Sequence, residues 1–115
     1  MWIVAVCSVK LFTNLAAALK GVFNRVVTTL GLYTNNIGPE GAIAIAEALK
    51  VNAVVTTLNL GGNNIGDEGA IAIAEALKVT AVLTKLILGN NNLGDAGEKA
   101  VRDAVKDRSG FELIL

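Results

Sequence analysis

The chain has 115 residues, with 53% hydrophobic and 17% charged side chains, and its ten basic and ten acidic residues leave a formal net charge of zero. That length suits one domain, and that apolar content excludes an intrinsically disordered chain. A neutral balance gives no electrostatic basis for binding nucleic acid or an anionic membrane. With no histidine and a single cysteine, Cys7, the chain can build no Cys/His zinc site, no Ser-His or Cys-His nucleophile pair and no internal disulfide.

Residues 1–9 (MWIVAVCSV) are apolar, but no basic segment precedes them and Lys10 follows at once. The run is far short of the roughly 20 residues that span a bilayer and lacks the charge pattern of a signal peptide. It reads as a strand or helix packed on the domain, with Cys7 and Trp2 as packing groups, and the chain is expected to be cytoplasmic. Residues 11–19 (LFTNLAAAL) read as a helix with Leu15 and Leu19 as its core pair, so residues 1–25 form an N-terminal apolar segment and cap-like helix. Leu19 precedes Leu30 by 11 residues, whereas Leu49 precedes Leu58 by 9. The junction, which includes Phe23, is thus longer than a regular one. A regular strand for this helix would end near position 2, so residues 1–9 fall where a turn is expected, and the chain reads as beginning inside a broken repeat, either as a piece of a longer solenoid or with these residues as an improvised cap.

From residue 26 the chain repeats itself. Residues 26–53 and 54–81 are identical at 23 of 28 positions, differing only at 31/59, 33/61, 34/62, 39/67 and 52/80; residues 82–109 match the second block at 13 of 28. Each block changes period half way. Val27, Leu30 and Leu32, then Val55, Leu58 and Leu60, then Leu83, Leu86 and Leu88 are interleaved with Thr, which predicts a short strand. The second half, GAIAIAEALK, is Ala-rich and predicts a helix. Ile45 and Leu49, Ile73 and Leu77, and Val101 and Val105 lie four apart on one face. Gly38-Pro39 and Gly66-Asp67-Glu68 open the helices, where proline and carboxylates are favoured. Asn35, Asn63 and Asn91 each follow the last strand leucine by three residues. There an amide side chain can turn inward and satisfy backbone groups left unpaired by the bend, so stacked blocks would align the three as a structural ladder. The glycines at 41, 69 and 97 suit a close backbone approach at the helix start.

Residues 111–115 (FELIL) read as a final strand. A 28-residue step places Phe111 after Leu83 and Ile114 after Leu86. Its open edge is a route to self-association through the ends of the stack. Arg102, Asp103, Lys106, Asp107 and Arg108 make the third helix more polar than its predecessors, as terminal repeats tend to be.

The pattern L-x-x-L-x-L-x-x-N-x-L, carried by Val55, Leu58, Leu60, Asn63 and Ile65 with Gly69, Ile73 and Leu77 behind it, resembles leucine-rich repeats of the ribonuclease-inhibitor type. The phrase NNIGDEGA-x-AIAEAL is similar to repeats of nucleotide-binding innate-immune receptors and Ran GTPase-activating proteins. The resemblance covers residues 26–109. It implies an α/β fold: a short leucine-rich-repeat solenoid, a horseshoe arc with parallel strands on the concave face and helices on the convex face.

Parallel sheets are normally covered on both faces, but each block supplies one helix, so one face stays open. Helices are wider than the strand spacing of roughly 4.8 Å, so the stack curves with that face inside. The resemblance makes it a binding face. Its expected contact residues are Tyr33, Thr34, Thr56, Thr57, Asn59, Thr84, Lys85, Ile87 and Asn90. Three of the five differences between the first two blocks fall on it, as a fixed scaffold with varied contacts would show.

Other motifs fit less well. The GGNNIG stretch at 61–66 has the spacing of a phosphate loop, but Asp67 and Glu68 stand where Lys and Ser/Thr are needed. Calcium-binding glycine-aspartate repeats recur every nine residues, not 28. Glu40, Glu47, Glu68 and Glu75 recur in identical surroundings, whereas acid/base pairs need two different ones. The expected function is therefore a protein-interaction scaffold with no catalytic residue, cofactor or metal. The alternatives are a GTPase-activating-type regulatory module and a truncated product with no independent role.

Overall fold

The computed structural model describes residues 2–4, 28–51 and 55–115. Five three-residue strands lie in one parallel sheet in chain order: β1 (Trp2–Val4), β2 (Thr29–Gly31), β3 (Thr57–Asn59), β4 (Lys85–Ile87) and β5 (Glu112–Ile114). Between them run α1 (Gly38–Leu49), α2 (Gly66–Leu77) and α3 (Asp95–Val105). Each strand pairs only with its neighbours in sequence, as a stack of identical units must. The fold is an α/β solenoid of leucine-rich repeats. The helix expected over 11–19 and the surroundings of Cys7 and Phe23 lie outside the described residues.

Two apolar rows build the core. Leu30, Leu58 and Leu86 are Cα partners across β2, β3 and β4 and are buried, as are Leu32, Leu60 and Leu88 beyond them. The helices close over these rows with Ile45, Leu49, Ile73, Leu77 and Val101. Alanine is the second ingredient. Ala42, Ala46, Ala70 and Ala74 are buried, and small side chains let neighbouring helices approach closely. At Gly69 even a methyl would be too large, because a Cβ there would collide with the Ile65 side chain and stand 2.9 Å from Ala42 Cβ. On the outer surface Lys50–Glu47 and Lys78–Glu75 form exposed ion pairs at 3.2 and 3.1 Å, worth at most about 1 kcal/mol each. On α3 the Lys99 ammonium donates to Asp103 at 2.7 Å. That bond, with the charge attraction behind it, holds Lys99 above and Asp103 below its ordinary value.

The end strands depart from the 28-residue step. Leu113, not Ile114, is the partner of Leu86, and Ile114 pairs with Ile87. The step from β4 to β5 is thus one residue shorter than the sequence spacing predicts, so Ile114 faces out at 40% exposure. Phe111, Leu113 and Leu115 pack against the core instead. The cause is the turn after α3. Gly110 adopts a left-handed conformation (φ +81°) that reverses the chain early, in a region that glycine enters without steric cost. Arg108 secures the turn by donating to the carbonyls of Ala81 and Leu83 and lying 4.7 Å over the Phe111 ring. At the other end Trp2 pairs with Thr29 and Val4 with Gly31. Residues 2–4 therefore stand in a strand position, not in the turn that counting back from Leu15 places there.

Candidate functional site

One side of the sheet is closed by helices; on the other no described element lies over the strands. That open face is made by alternation: with Leu30, Leu58 and Leu86 turned inward, residues on either side of them turn outward. Thr29, Thr57, Lys85 and Glu112 form one row across β2–β5, and Gly31, Asn59, Ile87 and Ile114 form the next.

The expected contact residues separate into three places. Thr57, Asn59, Lys85 and Ile87 are brought together at the centre, side by side on β3 and β4, all half-buried. Thr56 and Thr84 lie just before the strands, and their hydroxyls donate to the carbonyls of Thr28 and Thr56 at 3.1 and 3.2 Å. They tie one repeat to the next. Tyr33, Thr34 and Asn90 sit on the rim beyond the strands and are exposed, with Thr34 and Asn90 in left-handed turns. Asn59 holds its side chain back against its own turn, where Oδ1 accepts from the Gly61 amide at 3.0 Å.

Behind the rim, Asn63 is fully buried. Its Nδ2 donates to the carbonyls of Leu32, Leu60 and Gly61 at 2.8, 2.9 and 3.1 Å. Its Oδ1 accepts from the amides of Asn35 and Ile37 at 2.7 and 3.4 Å. Asn91 repeats the set one unit on, with Nδ2 to Leu60, Leu88 and Gly89 and Oδ1 from Asn63 and Ile65. Asn35 donates to the Tyr33 carbonyl at 3.1 Å. These amides fix the height of the rim and are too enclosed to meet a partner.

Three residues were missed from sequence. Glu112 joins the open face and meets Lys85 at 3.1 Å; Ile114 stands beside Ile87. Both follow from the shortened step, which the Gly in the 109–111 turn is the only sequence sign of. Asp67 is the third. Its Oδ1 accepts from the amides of Gly94 and Gly97 at 2.7 and 2.9 Å, so it caps α3, the helix of the following repeat. The same position in the first repeat is Pro39, which has no such oxygen. Among the described residues no three His, Cys, Asp or Glu side chains are grouped to hold a metal, and no helix is long and apolar enough to cross a membrane.

Three segments, residues 23–46, 51–74 and 81–101, match the leucine-rich repeat family. No curated protein matches the sequence. Among solved structures, leiomodin-1 actin-binding site 2 superposes with a TM-score of 0.88 at 28% identity, over 98% of this chain and 68% of that one. With more than half its length matched in three segments of one kind, this chain belongs to the leucine-rich repeat family.

Proposed function

We propose that this chain is a protein-interaction module without catalytic activity, which binds a protein partner on the open sheet face. The observation that supports it is the one-sided sheet, a row of strands whose outward residues no described element covers. Rigid strands present those residues with little ordering cost, which favours binding. Within the family, the 28-residue strand-turn-helix unit supports a reading of the ribonuclease-inhibitor type.

The similar leiomodin-1 segment is an actin-binding site by its title, so actin is the partner to try first. Labelled actin would be titrated with the chain, with Thr57→Arg on the open face and with Glu75→Arg on α2. Binding lost by roughly tenfold or more in Thr57→Arg and kept in Glu75→Arg is the expected result, since a bulky charge at a packed contact costs a few kcal/mol. The reverse pattern overturns the open-face reading. No binding by the unaltered chain removes actin, and acceleration of GTP turnover by a small GTPase would replace the scaffold with a regulatory module.

A further inference from the structure

The shortened step to β5 changes the chemistry of the open face. Counted at 28 residues, Lys85 would stand beside Leu113 and Ile87 beside Leu115. In the structure both neighbours change. Lys85 Nζ stands 3.1 Å from Glu112 Oε2, and Ile87 is the Cα partner of Ile114 on the adjoining strand, where strands lie roughly 4.8 Å apart. These are the only charged side chains among the described residues of β2–β5, and each neutralises the other. Toward β2 the face becomes small and polar, through Asn59, Thr57, Thr29 and Gly31.

Resting on the open-face reading above, we propose that the Ile87–Ile114 pair is the anchor of the binding face. It receives an uncharged segment of a partner protein that presents a branched or aromatic apolar side chain. Three observations carry this. The two isoleucines are Cα partners on adjoining strands, Ile114 40% exposed and Ile87 half-buried. The adjacent Lys85–Glu112 pair leaves no net charge on the described strands of the face, so an acidic or basic partner gains no electrostatic preference there. The rest of the row carries hydroxyls and an amide, which suit backbone groups of an extended segment. Burial of two such side chains on a rigid sheet is the kind of contact that dominates an interface.

The test is selection of a random peptide library on the whole 115-residue chain, followed by NMR titration of the peptides recovered. Uncharged peptides with an aliphatic or aromatic residue are expected, with shifts centred on the Ile87 and Ile114 methyl groups and affinity little changed between low and high salt. Ile87→Thr, which keeps a strand-forming side chain like that of Thr29, should weaken binding by roughly tenfold, as should Ile114→Ser. The double change Lys85→Ala with Glu112→Ala should leave it within about twofold. A thermal melt of each variant shows that the fold is kept. Enrichment of charged peptides, loss of binding in the Lys85/Glu112 double variant, or recovery of no peptide overturns the anchor. Shifts confined to Thr29, Thr57 and Asn59 overturn the anchor and leave the open-face reading standing. Shifts on α1–α3 overturn both.

Discussion

At the scale of single residues, the turn asparagine matters as much to the structure as a core leucine. Asn63 satisfies five backbone groups in a site closed to water, and no other neutral side chain of that length offers both two donors and an acceptor. Asn63→Ala leaves those groups unpaired at about 1–3 kcal/mol each before relaxation. The expected net loss is about 3 kcal/mol or more, read as a lowered urea midpoint. This role was legible because the residue recurs at a fixed distance from the strand leucines, where a bend must leave amides unpaired. The threonines were less legible. Thr57 faces the open surface, but Thr56 and Thr84 use their hydroxyls on the preceding strand segment. One-letter spacing does not separate a hydroxyl offered to a partner from one already spent on a carbonyl.

At the scale of elements, the helices and strands were legible from the change of period within each repeat, because a leucine strand and an Ala-rich helix need different apolar spacings. Two features were not. The cap on α3 crosses from Asp67 to Gly94 and Gly97, and a bond between repeats has no signature within one. Asp67→Ala is expected to cost about 1 kcal/mol, the usual worth of a capping side chain. Faster amide hydrogen exchange at Gly94 and Gly97, with Asn35 and Ile37 unchanged, would mark the loss as local to α3. The second feature is the register of β5. A strand shifted by one residue turns its whole inward set outward, so the glycine turn at 110 decides that Leu113 is core and Ile114 surface. Two adjacent aliphatic residues look alike in a pattern, and only the length of the preceding turn separates them.

On the scale of the whole molecule, each repeat touches only its neighbours, so the cost of a core change depends on how many sides are covered. Leu58, fully buried between β2 and β4, should cost about 3–4 kcal/mol as Leu58→Ala, within the range for large-to-small core changes. Leu113 is half-buried with one described neighbour strand, and Leu113→Ala should cost about 1–2 kcal/mol by lost apolar area. Equal losses in chemical denaturation would contradict a core built one layer at a time. The asparagine row adds a direction to this layering. Asn63 reaches back to Leu32, Asn35 and Ile37, and Asn91 reaches back to Leu60, Asn63 and Ile65, whereas the same turns reach forward through main-chain groups, as in the Gly38 amide donating to the Asn63 carbonyl. A bend in the chain is thus finished by the layer made after it. During synthesis, which proceeds from the amino end, every new layer would seal the one already standing, and the unfinished stack would always carry its loosest loop at the growing tip.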